Sequence, residues 1–220
     1  MSYNKSLINK DLYLYYIFLV AGIIYIYVTS KAESFLILNS LHNPFLDSVM
    51  PYITWMGDGL FAAIVALVFL LYRVRYGIFL GLSFITSGLL AQTMKKVIFS
   101  GELRPMAYFR EIGTEIHTIP EVKQLMLYSF PSGHSTTAFA CFVGISFLVK
   151  QWYWKMILLL VAIIVGYSRV YIAVHFPVDV IAGSLIGVLS SYLFYIWVSQ
   201  WKKPWLDVSL GAKILNSVKK

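Results

Sequence analysis

Two histidines in this chain stand at the ends of long apolar segments, where polar side chains are rare. His134 lies at the start of one such segment, and His175 lies between two others, with Asp179 four residues after it. In phosphoryl transfer one imidazole can attack phosphorus while a second protonates the departing oxygen. If Pro177 opens a helix, Asp179 can fold back and hold the tautomer of His175. These residue types favour covalent catalysis on a phosphoryl group.

The polar residues near the two histidines are of the kinds that bind phosphate. Arginine donates paired N–H groups to phosphate oxygens. The free backbone N–H groups at a helix start attract an anion, and glycine lets the backbone approach it closely. Together they predict a phosphate-binding pocket. Its predicted members are Lys96, Arg104, Ser132, Gly133 and Arg169.

Composition places these residues in a membrane protein. Of the 220 residues, 59% are hydrophobic and 13% are charged, against roughly a quarter charged in soluble domains. The net charge of +8 does not indicate nucleic-acid binding, because the Lys and Arg residues fall mostly between apolar runs. The single cysteine, Cys141, forms no internal disulfide. A lipid bilayer is the predicted partner.

Six apolar segments predict an all-α bundle of six transmembrane helices, since spanning the hydrocarbon takes about 20 helical residues. Gly59–Tyr72 reaches this length if its helix begins near Thr54. The whole chain, 1–220, is predicted to form a single integral membrane domain. The six segments are 12–30, Gly59–Tyr72, 76–94, 131–149, Trp152–Tyr171 and 180–201.

Two segments outside these spans have their own patterns. Residues 31–57 carry apolar side chains at helical spacing and are predicted to form a short amphipathic helix in the membrane interface. Residues 100–130 form the longest polar stretch, predicted as a loop or small cap between helices 3 and 4. More Lys and Arg lie on the side that holds both termini, which predicts that side as cytoplasmic. The histidines then face the extracytoplasmic side.

The ordered motifs resemble the three signatures of the type 2 phosphatidic acid phosphatase (PAP2) superfamily. The second and third motifs agree residue for residue, whereas seven residues separate Lys96 from Arg104 and the family pattern has six. Neither Lys95 nor Val97 restores that spacing. The three motifs are Lys96…Arg104-Pro105, Pro131-Ser132-Gly133-His134 and Ser168-Arg169-x5-His175-x3-Asp179.

The resemblance implies a role for each residue. His175 would form a phosphohistidine, Asp179 would orient it, and His134 would protonate the leaving group and then activate water. Lys96, Arg104, Ser132, Gly133 and Arg169 would hold the phosphoryl oxygens. No metal or cofactor is implied. The expected enzyme is a bacterial inner-membrane phosphatase for a lipid phosphate or pyrophosphate, with undecaprenyl pyrophosphate as the first choice.

Several alternatives stay open. The substrate could be phosphatidylglycerol phosphate, phosphatidic acid, diacylglycerol pyrophosphate or lipid A, and the reaction could be phosphotransfer to another lipid. A non-enzymatic reading is a polytopic transporter that only binds an anion. His42 and His117 are predicted to be solvent-facing loop residues. Asp58 is predicted to cap a helix or to pair with Arg104 or Arg110.

Overall fold

The computed structural model describes residues 5–218, and within them the side chains of residues 12–215. This part of the chain is helical and contains no β-strand, which confirms the all-α prediction. The α-helices are α1 (Lys5–Val28), α2 (Lys31–Asn39), α3 (Pro44–Ile53), α4 (Gly59–Tyr72), α5 (Val74–Thr93), α6 (Pro105–Glu111), α7 (Gly133–Ser146), α8 (Trp152–Tyr171), α9 (Pro177–Ser199) and α10 (Leu210–Val218). Short 3-10 turns occupy Thr54–Gly57 and Pro204–Asp207, and a π-helical turn occupies Met94–Ile98.

Helix α7 lies at the centre of the bundle, and its side chains 135–143 are all buried. Helices α5, α8 and α9 pack around it. A Cβ atom on Gly183 of α9 would lie 2.4 Å from the Ser132 carbonyl oxygen, and one on Gly187 would lie 2.5 Å from that of Thr136. Small residues allow helices to approach this closely. The starts of α7 and α9, which carry the predicted site residues, are thereby held together.

Helices α4 and α5 touch at one end and separate at the other. Near their connecting turn, a Cβ atom on Gly77 would lie only 2.4 Å from the Cα atom of Leu70. Gly59, at the far end of α4, and Gly88, in the second half of α5, would each carry a Cβ atom with nothing within 4 Å. A gap therefore opens between the two helices beside the start of α7.

Arg75 is a buried residue at the start of α5, next to the turn that connects α4 to α5. Its guanidinium donates to both carboxylate oxygens of Asp207, at 2.8 and 3.1 Å. It also donates to the carbonyl oxygens of Val198 and Trp201, at 2.8 and 2.9 Å. These bonds tie the start of α5 to the end of α9 and to the segment that follows.

Among the described residues, three helical segments are individually long and apolar enough to cross a membrane. Two further pairs of helices are bent at a short break, and the number of spans rises to five if each pair counts as one. Six were predicted. The segment 131–149 accounts for the difference, because it is an α-helix only over Gly133–Ser146, 14 residues. The three segments are Val74–Ile98, Trp152–Tyr171 and Pro177–Ser199, and the pairs are Leu12–Val28 with Lys31–Asn39 and Pro44–Gly57 with Gly59–Tyr72.

The segments outside the long helices are more structured than predicted. Residues 31–57 form α2, α3 and a 3-10 turn instead of one amphipathic helix. Phe35 of α2 is fully buried and packs against Phe176, with ring centroids 5.6 Å apart, so α2 covers the loop that carries His175. Within residues 100–130 the chain forms α6 and is otherwise irregular. The chain ends, 1–4 and 219–220, which were predicted to be cytoplasmic, lie outside the described residues.

Candidate active site

The Asp179 carboxylate collects three hydrogen bonds at the start of α9. Pro177 opens this helix, so Asp179 stands in its first turn and accepts from the backbone N–H of Phe176 at 3.0 Å. Its Oδ2 also accepts from the Ser129 hydroxyl and lies 3.2 Å from Nδ1 of His175. An ionised Asp179 would keep the proton of His175 on Nδ1 and leave a lone pair on Nε2. The predicted contact between Asp179 and His175 is present.

His175 is 2% exposed, in the short loop between α8 and α9. Its backbone N–H donates to the carbonyl oxygen of Arg169 at 3.1 Å, which fixes the loop to the end of α8. Burial lowers the pKa of His175 well below its ordinary value, and the positive charges of Arg104, Arg169 and Lys95 lower it further. The imidazole is therefore neutral at neutral pH, as a nucleophile must be.

Arg104 is buried beside the same loop. Its guanidinium donates to the carbonyl oxygens of Leu127, Val174 and Tyr128, at 2.9, 3.0 and 3.3 Å. Burial lowers the pKa of Arg104 and the nearby charge of Asp179 opposes this, but an arginine stays protonated under these conditions. The carbonyl contacts hold a fixed positive charge next to His175.

Arg169 stands in the last turn of α8 and is 8% exposed. Its Nη1 donates to the hydroxyl of Thr54, in the 3-10 turn before α4. Its Nε is buried and has no hydrogen-bond partner. A buried, partly unpaired guanidinium is costly unless an anion completes its bonds.

His134 lies in the first turn of α7, whose N-cap is Ser132. The Ser132 hydroxyl accepts from the Ser135 hydroxyl at 2.9 Å, and the Ser132 backbone N–H donates to the carbonyl oxygen of Asp179 at 3.0 Å. A Cβ atom on Gly133 would meet nothing closer than 3.9 Å. The predicted helix start is thus present and open at Gly133, although the amide of Ser132 is already used.

A cavity of about 450 Å³ joins His134 to both arginines. Asp58, at its edge, accepts from the backbone N–H of Leu60 at 2.8 Å and caps α4, which confirms the capping alternative. In the part of the chain that the structure describes, no three His, Cys, Asp or Glu residues are grouped so that they could hold a metal ion. The acidic, basic and histidine residues that line the cavity are Asp58, Arg104, Glu121, Lys123, His134 and Arg169.

Comparison with known proteins identifies relatives of this chain. The sequence model of the PAP2 superfamily matches residues 76–203. The chain belongs to the PAP2 superfamily. It is 31% identical to an undecaprenyl-diphosphatase of Sulfolobus acidocaldarius, over 74% of this chain and 76% of that protein. It is 27% identical to undecaprenyl-diphosphatase BcrC of Bacillus subtilis, over 82% of this chain and 90% of that protein.

A solved structure shows the same fold. The PAP2-type phosphatidylglycerolphosphate phosphatase of Bacillus subtilis superposes with a TM-score of 0.64 and is 28% identical, covering 88% of this chain and 97% of that one. The resemblance seen in the motifs is confirmed. The protein is an integral membrane protein related to PAP2 lipid phosphatases.

The structure buries Lys95 and not Lys96, which is the lysine predicted for the first PAP2 motif. In the π-helical turn Met94–Ile98, Lys95 is 7% exposed whereas Lys96 is exposed. Lys95 also interacts electrostatically with Arg104 and Asp179. A π turn contains one more residue than an α turn and rotates the chain that follows it. Lys95 therefore lies beside the candidate site.

Some residues of the site and its surroundings were not identified from the sequence. Thr54 and Ser129 contact Arg169 and Asp179 from segments 115 and 50 residues away, and no local pattern marks either one. His117 is not a free loop residue, because its Nε2 lies 2.8 Å from Asp47 and its ring stacks on that of His42 at 4.0 Å. The contacts of His117 with Asp47 and His42 lie outside the cavity.

Proposed function

We propose that this protein hydrolyses a lipid phosphate or pyrophosphate through a phosphohistidine on His175. One observation carries the proposal. His175 is buried, neutral and in contact with Asp179. It follows Val174, which lines the cavity together with Arg104 and Arg169, and Arg169 has an unpaired Nε. A nucleophile, its orienting carboxylate and cations that can bind phosphate are what phosphoryl transfer requires.

The reaction would proceed in two displacements. Nε2 of His175 attacks phosphorus, the bond from phosphorus to the leaving oxygen breaks, and His134 gives that oxygen a proton. Water then attacks the phosphohistidine, its proton passes to His134, and inorganic phosphate leaves as His175 is regenerated. Lys95, Arg104, Arg169 and the start of α7 at Ser132 and Gly133 would hold the phosphoryl oxygens. No metal or other cofactor takes part in this scheme.

Undecaprenyl pyrophosphate is the first-choice substrate. Support comes from the two undecaprenyl-diphosphatases to which the chain is 31% and 27% identical. A phosphatidylglycerophosphatase B of Bacillus subtilis, 32% identical over 70% of this chain, supports phosphatidylglycerol phosphate as the runner-up. Phosphatidic acid, lipid A and transfer to a lipid acceptor are further options. Parallel assays of these lipids, with and without a lipid acceptor, would rank them.

The proposal includes a membrane arrangement. All of 1–220 would form one domain with six spans in a bacterial inner membrane, with both termini cytoplasmic and the cavity extracytoplasmic. In this arrangement α7 is the short central span, and residues 100–130 cap the site. Single cysteines at exposed Lys123 and exposed Lys202, in a Cys141→Ala background, would test it in whole cells. An impermeant thiol reagent should label only the first, and labelling of only the second would reverse the topology.

The activity itself has a direct test. Purified protein in detergent should release phosphate from undecaprenyl pyrophosphate in excess chelator, and vanadate should inhibit it. His175→Ala and His134→Ala should each remove nearly all turnover. Metal-dependent turnover that survives both substitutions would overturn the mechanism. Full function of His175→Ala in cells would favour the anion-binding transporter instead.

A further inference from the structure

A short 3-10 turn, Thr54–Gly57, joins α3 to α4 and contacts two residues of the candidate site. An added Cβ atom on Gly57 would lie 2.8 Å from the carbonyl oxygen of His134 and 3.0 Å from its Cβ atom, so only glycine allows this approach. At the other end of the turn, the hydroxyl of Thr54 accepts from Nη1 of Arg169. The turn therefore lies against both the predicted general acid and a predicted phosphate-binding arginine.

Thr54 lines the cavity that contains His134, Arg104 and Arg169, which we call the charged cavity, although only 7% of the residue is exposed. A threonine hydroxyl has one proton to donate and two lone pairs that accept. The contact with Arg169 uses a lone pair, because a guanidinium only donates. Among the residues that the structure describes, none accepts the remaining proton. That proton is available to a ligand in the charged cavity.

Other buried hydroxyls in this bundle use their protons within the protein. They donate to the backbone carbonyl oxygen three or four residues earlier, at 2.7–2.9 Å, a common arrangement for serine and threonine in a helix. The described bonds of Thr54 include none of this kind, and its oxygen accepts from a cation instead. The hydroxyls that donate in this way include those of Thr136, Ser146, Ser168 and Ser184.

Thr54 and Arg169 together hold two donors that the described protein atoms leave unused. One is the Thr54 hydroxyl, and the other is Nε of Arg169, which is buried without a partner. A buried donor without an acceptor is unfavourable. A phosphoryl group has several anionic oxygens and can accept from both donors, and hydrogen bonds to an anion are stronger than those between neutral groups. The pair is therefore suited to a phosphoryl group in the charged cavity.

We propose that the hydroxyl of Thr54 donates to an oxygen of the transferring phosphoryl group, beside Arg169. This inference rests on the proposed lipid phosphatase activity and adds a donor to those of the three motifs. Thr54 lies outside residues 76–203, which match the PAP2 superfamily model. The 3-10 turn holds the hydroxyl in place before the substrate arrives, and a donor fixed in this way stabilises the transition state of the reaction.

Thr54→Val tests the inference, because it removes the hydroxyl and keeps the shape of the side chain. Its kcat should fall about 10²-fold, as expected for the loss of one fixed donor. The loss should be equal with undecaprenyl pyrophosphate and with p-nitrophenyl phosphate, since the bond is made to the phosphoryl group that both share. Thr54→Ala should reproduce the loss, and Thr54→Ser, which keeps a hydroxyl, should restore most of the turnover. Thermal melts in detergent identify the variants that are folded.

A second background separates a direct contact with substrate from an effect that passes through Arg169. In Arg169→Met the hydrogen-bond partner of Thr54 is gone. If the hydroxyl itself contacts the phosphoryl group, adding Thr54→Val should lower kcat by at least about tenfold more. No further loss in this background would show that Thr54 only positions Arg169, and it would overturn the inference.

Thr137→Val is the matched control. Thr137 is 8% exposed and lies three residues after His134, but it does not line the charged cavity. Its kcat should stay within about threefold of wild type with both substrates. Wild-type turnover in Thr54→Val, or equal losses in Thr54→Val and Thr137→Val, would overturn the inference and leave the proposed function standing. A wild-type protein that hydrolyses neither substrate would overturn the proposed function, and the inference with it.

Discussion

Two buried arginines at opposite ends of the bundle have opposite surroundings. Arg75 is 4% exposed and donates to both oxygens of the Asp207 carboxylate and to two carbonyl oxygens. Arg169 is 8% exposed, donates to the neutral hydroxyl of Thr54, and keeps a buried Nε without a partner. The guanidinium of Arg75 is hydrogen-bonded directly to a carboxylate, and that of Arg169 is not.

The difference in hydrogen-bond partners indicates which buried arginine supports the fold and which is available to a ligand. Composition alone does not distinguish the two. A buried cation with its own carboxylate stabilises the fold, because removing it strands the partner. A buried cation without a carboxylate partner weakens the fold. Such a cation is retained where a bound anion supplies the missing hydrogen bonds. Arg75 therefore belongs to the architecture, and Arg169 belongs to the proposed phosphate pocket.

The largest expected effect is on turnover in Arg169→Met, which keeps most of the side-chain volume but removes the charge. Loss of one donor to a transferring phosphoryl group should lower kcat about 10²–10³-fold. The thermal unfolding temperature in detergent should stay the same or rise, since an incompletely paired buried charge is gone. Steady-state phosphate release and a thermal melt measure the two effects. A clear drop in the unfolding temperature of Arg169→Met would show that Arg169, like Arg75, supports the fold.

The matched change, Arg75→Met, should do the reverse. It removes bonds to a half-exposed carboxylate and two carbonyl oxygens, so unfolding should become easier by on the order of 2–3 kcal/mol. Below the new unfolding temperature, kcat/KM should stay within about threefold of wild type, because no step of the reaction involves Arg75. A hundredfold loss of turnover in fully folded Arg75→Met protein would contradict the purely structural role of Arg75.

Arg104→Met should change the pH dependence of the reaction. The charge of Arg104 contributes to the lowered pKa of His175, so its removal raises that pKa. His175 attacks in its neutral form, which exists above the pKa. The acid limb of kcat/KM should therefore move to higher pH. Exposed Arg110→Met is the control and should leave the limb in place. An unmoved limb in Arg104→Met would show that His175 does not set it.

The smallest expected effect concerns Asp207. Its hydrogen bonds to Arg75 lower its pKa in the folded protein, whereas an unfolded carboxyl titrates near 3.9. The stability from this pair is therefore present above about pH 4 and is lost as the pH falls through the lowered folded pKa. As the pH falls below about 4, the unfolding temperature of Asp207→Asn should decrease less than that of wild type. Identical acid dependence in the two proteins would contradict the pairing.

The sequence was sufficient where the geometry is local. His175 and Asp179 are four residues apart across the Pro177 helix start, and their contact is present at 3.2 Å. The burial of Lys95 instead of Lys96 was not predictable, because it depends on the π turn that follows α5. Thr54 reaches Arg169 from 115 residues away, and that pairing exists only once the bundle has packed.

The most direct test of the phosphohistidine is to trap it. In His134→Ala, p-nitrophenyl phosphate needs no proton for its leaving group, but the water that attacks next has lost its base. A rapidly quenched reaction should therefore accumulate an acid-labile, alkali-stable phosphoryl group, and mass spectrometry should place it on His175. No phosphoenzyme should form in the additional His175→Ala variant. A phosphoryl group on another residue, or phosphate release in that double variant, would contradict the account.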